Sequence, residues 1–220
     1  MMEIVNMKML SNDQLTQAAQ MLTDELPLGW ATFDNAMEEL DELGLLKNNS
    51  VGRNFRPTEN DEDSIFLAAV ENGEVLGWCG ILSQYNGNVY EIHPLVVRGD
   101  QQRRGIGGKL MDAITIAARE KGALTLMLGA DDEAEDGETS FANVDLYDNL
   151  PKQMTEFNPG THQSAFYLRH GFKVVGVMPD ANGKGKPDIM MAKALKEQNG
   201  PCPFMLPTFR REIAKQFPGI

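Results

Sequence analysis

Cysteine is scarce in this chain: Cys79 and Cys202 are the only two, far apart and in no C-x-x-C unit. That spacing excludes a zinc ribbon and a disulfide framework, and it suits a reducing cytoplasm. No metal is expected. Positive charge is also short, with 20 Lys and Arg against 32 Asp and Glu and a formal net charge of -12. Such a balance argues against a nucleic-acid partner, whose phosphates need a basic face. Long apolar runs are missing, and nothing approaches the ~20 residues that span a bilayer, so no membrane role is expected. The segment Met1 to Leu10 carries Glu3 and Asn6 within its apolar pattern and does not read as a signal peptide.

What remains is a chain of 220 residues with a hydrophobic fraction of 42%, enough for a real core. One domain over residues 1–197 is expected, followed by an extension over 198–220 that holds Pro201, Pro203 and Pro207. The acidic surface serves solubility or attracts cationic partners.

Periodicity predicts a helix from Asn12 to Glu25, capped by Ser11 or Asn12, and a second from Phe33 to Leu46. Lys47 to Asp63 is polar and reads as a loop. Strands follow at Ile65–Val70, Val75–Leu82 and Val89–Val97, punctuated by Asn72-Gly73 and Asn86-Gly87 turns. A helix over Arg104–Lys121 and a strand over Leu124–Gly129 come next. Ala130 to Gly160 reads as one long irregular segment. Gln163–His170 is a short helix, and Val174–Met178 and Ile189–Ala194 are strands. This order defines a mixed α/β class.

The most informative stretch runs Glu91-Ile-His-Pro-Leu-Val-Val-Arg-Gly-Asp-Gln-Gln-Arg-Arg-Gly-Ile-Gly-Gly-Lys-Leu110. A strand ends, a polar turn follows, and a helix opens among Gly105, Gly107 and Gly108. The first turn of a helix has unpaired N–H groups at the positive end of its dipole. Glycines let a bulky anion approach those groups, and Gln102, Arg103 and Arg104 add donors, as in a pyrophosphate cradle. A dinucleotide fingerprint fails, because a meander precedes the glycines and no acidic residue falls at the expected offset. A P-loop fails because Leu110 follows Gly108-Lys109 where Ser or Thr is required.

Gln102-Arg-Arg-Gly105-Ile-Gly107 resembles the acetyl-CoA motif [RQ]-x-x-G-x-[GA] of the GNAT N-acetyltransferases at every defined position. The segments Glu91–Val97, Leu128–Asp132, Asp145–Tyr147, Phe166–Phe172 and Met178–Ile189 are similar, in the same order, to segments of the aminoglycoside 6'-N-acetyltransferases. The likeness is good from about Ile65 to Ala194, vague over the first sixty residues and absent in the tail. It implies a GNAT acyl-CoA N-acyltransferase fold with a mixed central sheet flanked by helices. It also implies acetyl-CoA as cosubstrate, an aminoglycoside acceptor and a homodimer.

Residue by residue, the resemblance implies Glu91 as general base, where the bland alternative is an exposed strand carboxylate. His93 shares a face with Glu91 and either positions water or an acceptor hydroxyl, or is structural before Pro94. Leu95 N–H would meet the carbonyl oxygen, since Pro94 has no N–H. Val96 and Val97 would align the pantetheine arm as an added strand does. Gln102, Arg103, Arg104, Gly105, Ile106, Gly107, Gly108 and Lys109 would hold the diphosphate. Tyr167 either protonates the leaving thiolate or is an interior tyrosine beside Phe166 and Phe172. Glu25, Trp30, Asp131, Asp132 and Asp188 are candidate acceptor contacts, with further acids at Asp34, Glu38, Glu39, Asp41 and Glu42. Other acceptors (a polyamine, a metabolite or a peptide amine) stay open, as does a non-catalytic module that binds acyl-CoA.

Overall fold

The computed structural model describes residues 1–46 and 63–195. The tail expected from Gln198, Cys202 and nearly all of the Lys47–Asp63 loop lie outside them. The described chain forms two compact units, one of Met1–Leu124 resuming at Leu195, the other of Thr125–Ala194.

In the first unit, four strands lie in the order β1 (Glu3–Asn6), β2 (Ile65–Glu71), β3 (Glu74–Gln84) and β4 (Val89–Val97), each antiparallel to the next. Helix α1 (Asn12–Glu25) begins at Ser11, whose hydroxyl accepts from Gln14 N–H while the Gln14 side chain accepts from Ser11 N–H. That reciprocal pair satisfies two otherwise orphaned donors. Helix α2 (Phe33–Glu42) is capped by Thr32 and stops four residues short of the expected Leu46. Leu15, Ala18, Ala19 and Leu22 of α1 and Ala36 and Leu40 of α2 are buried with Phe66, Trp78 and Val96 in one apolar cluster. The indole N–H of Trp78 reaches into α1, donating to the Ala18 carbonyl at 3.1 Å, so the one polar atom of that large buried ring is satisfied. Helix α3 (Ile106–Glu120) buries Ile106, Leu110, Met111, Ile114 and Ala117, and its contacts are with β2, β3 and β4.

The β3–β4 register contains the feature that shapes the site. Ile81 faces Ile92 and Cys79 faces Leu95, so the single residue Gly80 lies opposite both His93 and Pro94. This is a β-bulge on β4, at the place where Pro94 has no N–H to give a ladder. Directly opposed residues share a face. Glu91, opposite Leu82, and Val96, opposite Trp78, therefore lie on one side of the sheet, while Ile92 and Leu95 lie on the other. Unbroken alternation would have put Leu95 beside Glu91. Gly80 permits the bulge, because a Cβ there would meet the His93 carbonyl oxygen and the Phe66 ring.

The second unit has strands in the order β5 (Thr125–Asp131), β7 (Asp188–Ala194) and β6 (Lys173–Met178), all antiparallel. Helix α5 (Ser164–Arg169) lies near its expected bounds, but α4 (Leu150–Thr155) falls inside the stretch read as irregular. Pro151 hid it; proline is tolerated in the first turn of a helix, where its missing N–H has no partner to lose.

Candidate active site

The turn before α3 enters the helix without a side-chain cap. Arg103 (φ 61°) and Gly105 (φ 79°) both adopt left-handed backbone, uncommon for a residue with a side chain and concentrated at ligand sites. Helices α1 and α2 have side-chain caps, whereas Gly105 provides none for α3. Gln102, Arg103, Arg104, Gly105 and Lys109 are exposed, and Ile106 is buried as the anchor of the first turn. Gly107 and Gly108 bring to the first turn N–H groups with no side chain of their own to cover them. The set fits a diphosphate.

Two side chains brace the loop that leads there. Glu25, at the end of α1, accepts from Gly99 N–H at 2.6 Å and from Gln102 Nε2 at 3.2 Å. Gln102 Nε2 also donates to the Val97 carbonyl at 3.1 Å. Glu25, expected as an acceptor contact, is tied to the loop that leads into α3. Arg104 reaches Gln101 and, at 3.5 Å, Glu71. Glu25→Ala should raise KM for acetyl-CoA about fivefold, the effect of about 1 kcal/mol from a half-exposed charge-assisted bond, with acceptor KM unchanged. Steady-state kinetics in each substrate checks it; a change in acceptor KM alone would return Glu25 to the acceptor side.

On β4, Glu91 and His93 are both half-buried. Gln84 Nε2 lies 3.4 Å from Glu91 Oε2. His93 Nε2 is 3.2 Å from Glu39 Oε1 on α2, and the second oxygen of Glu39 accepts from Trp30 Nε1 at 3.2 Å. The rings of Trp30 and His93 meet edge to face at 5.8 Å. The Glu39 hydrogen bond holds the imidazole pKa above its ordinary value; burial opposes this, and the charges of Glu39 and Glu91 add to it. The same bond to His93 holds the Glu39 carboxyl below its ordinary value, against burial, with a smaller contribution from Trp30. Glu39 was one of several acids on an amphipathic helix in the sequence. Nothing in its spacing distinguished it from Glu38 or Glu42, because the partner that does so lies on a distant strand.

The second unit contains the other expected residues. Tyr167 is buried on α5 and contacts Phe166 at 5.3 Å and Phe172 at 5.7 Å between ring centroids. Asp131 and Asp188 face each other across β5 and β7. Asp131 accepts from Asn182 Nδ2 at 2.5 Å. The Asp188 carboxylate fits against Gly129, where a Cβ would come within 2.8 Å of it. Glu133 beside them has its pKa raised by burial and by the Asp131 charge. Asp132 is different. It is fully buried, and its carboxylate accepts from Glu138 N–H at 2.9 Å and Thr139 N–H at 2.8 Å. It closes the loop after β5 and has no exposed oxygen to offer an acceptor. Cys79 is buried, and burial pushes its thiol pKa up, the opposite of an activated thiolate. Among the described residues no cluster of metal-binding side chains occurs and no helix is long and apolar enough to cross a membrane.

A left-handed turn into a helix without a side-chain cap, beside a bulged strand bearing Glu and His, is an arrangement that a diphosphate-bearing cosubstrate fits. The chain belongs to the acetyltransferase (GNAT) family, whose model matches residues 25–142, and it is an acetyl-CoA-dependent N-acetyltransferase with the mixed α/β fold of that family. It is similar to a crystal structure of an aminoglycoside 6'-N-acetyltransferase complexed with coenzyme A, at 29% identity and TM-score 0.75, covering 90% of this chain and 99% of that one. An aminoglycoside 6'-N-acetyltransferase from Enterococcus faecium is similar at 28% identity and TM-score 0.72, with the same coverage. An aminoglycoside 6'-acetyltransferase type Ii is similar at 26% identity and TM-score 0.61. No curated protein matches the sequence.

Proposed function

We propose that the protein acetylates a primary amine of a cationic small molecule, the 6'-amine of an aminoglycoside, by direct attack. The observation that carries this reading is the group of Glu91, His93, Glu39 and Trp30, two carboxylates flanking an imidazole at a half-open strand face. The likeness to three aminoglycoside enzymes supports the acceptor class.

Acetyl-CoA, when bound, supplies the thioester; the uncapped α3 terminus and Gln102–Lys109 would hold its diphosphate. An ammonium cannot attack, so Glu91 takes one proton from the acceptor, directly or through water. The amine nitrogen then forms the new C–N bond as the C–S bond breaks. The second proton it sheds on becoming an amide replaces, through water, the one that Tyr167 gives to the sulfur. Leu95 N–H receives the negative charge on the carbonyl oxygen, Val96 and Val97 align the pantetheine arm, and Tyr167 returns a proton to the sulfur. The roles of Leu95 and Tyr167 rest on the resemblance. Asp131 and Asp188 supply negative charge for a polycation. A homodimer and a cytoplasmic site of action belong to the same reading, as does an antibiotic-resistance role.

A thiol-release assay across aminoglycosides, spermidine and short peptides tests the proposal. Turnover is expected with aminoglycosides bearing a 6'-amine and absent with 6'-hydroxyl analogues. Turnover confined to spermidine or peptides would replace the acceptor, and coenzyme binding without any turnover would favour the non-catalytic module.

A further inference from the structure

The proposed chemistry leaves Glu39 without a role, although it makes two of the hydrogen bonds in the group. It lies on α2, whose inner face is anchored by Ala36 and Leu40, so its carboxylate is delivered to β4 by a packed helix. Both its oxygens are engaged, one by His93 and one by Trp30. The imidazole has Glu39 facing it from α2, Glu91 from its own strand and the Trp30 ring edge-on from the segment before α2.

We infer that Glu39 is a positioning residue that fixes the His93 ring and favours its donor form, so that His93 acts as a hydrogen-bond donor in the pair and Glu91 serves as base. This inference rests on the proposed amine acetylation. An imidazolium has two N–H donors and no lone pair, so it cannot accept the acceptor's proton. With Nε2–H directed to Glu39, the ring orientation is set from outside the strand. The bulge contributes too, since it turns His93 out of the regular ladder without moving Glu91 to the opposite face.

The signs of the pH dependence follow from the two partners. His93 has its pKa raised by Glu39, so the stabilisation is full at low pH and is lost as pH rises through the raised value. Glu39 has its pKa lowered by His93, so its share is full above the ordinary carboxylate range and is lost as pH falls through the lowered value. The ion pair therefore exists between the lowered carboxylate and the raised imidazole.

Proton NMR of the three histidines, with His93 assigned through His93→Asn, measures this directly. In the unaltered protein the His93 midpoint should exceed the ordinary imidazole value. Glu39→Gln is isosteric and should lower that midpoint by about one pH unit, the usual effect of removing an opposite charge at this range. Trp30→Phe, which keeps the carboxylate and removes the competing indole donor, should leave the midpoint raised. With aminoglycoside, Glu39→Gln should reduce kcat about threefold to tenfold with KM for acetyl-CoA unchanged, and Glu39→Asp should recover part of it. A His93 midpoint unmoved by Glu39→Gln in folded protein overturns the inference. A lowered midpoint with Glu91→Gln fully active would instead sink the base assignment and leave the positioning role standing.

Discussion

Glu91→Gln is expected to lower turnover at neutral pH by about 10²–10³-fold, the usual contribution of a positioned general base, while coenzyme affinity stays the same. The substitution is isosteric, and the carboxamide can still meet Gln84, which lies 3.4 Å from Oε2. What is lost is a group able to take a proton. Only acceptor already present as free amine can then react, and that fraction grows about tenfold per pH unit below the amine pKa of about 10. The defect should therefore be greatest near neutrality and shrink as pH rises. Steady-state rates from pH 6 to 9, with calorimetric titration of coenzyme A, check both halves. Equal rates for the two proteins across that range would remove Glu91 from the proton path.

Gly107→Leu should separate stability from binding. Gly107 lies in the first turn of α3 with ordinary helical backbone, being absent from the positive-φ glycines that include Gly105. Replacing a helical glycine gains about 1 kcal/mol of helix propensity, so thermal stability should hold or rise. The added side chain stands over the amides proposed to meet the diphosphate. Loss of one or two charge-assisted bonds, about 1.5–3 kcal/mol each, raises the dissociation constant of coenzyme A by about 10- to 100-fold. Calorimetry and a melting curve measure the two effects separately. Unchanged affinity in a protein of normal stability would mean that the diphosphate does not bind at this turn.

Much of this site is legible in the amino-acid sequence. Strand β4 runs over Val89–Val97 as expected, because apolar and polar residues alternate between two clear turns. The proposed cradle is legible because holding a diphosphate would need glycine at fixed spacing, which is a local requirement. The bulge is not. Pro94 marks an irregularity, but which residue stands opposite it depends on β3, and so does the face on which Leu95 comes to lie. Glu25 and Asp132 show the same limit. Both are acids near site elements, yet one holds the Gly99 loop and the other is buried beneath the loop after β5. A carboxylate in a sequence has a charge but no direction.

The amino-acid order alone determined most of the elements and their approximate bounds, which follow from short-range periodicity and turn chemistry, and it made the family legible through the resemblance of Gln102–Gly107 to a known motif; α4 was not legible. Only the folded chain decided that Glu39, one of several acids on α2, would be the partner of His93, fifty-four residues away. Hydrogen bonds between distant segments are fixed by how helix and strand pack, and that geometry is set by the whole core, not by the neighbours of either residue.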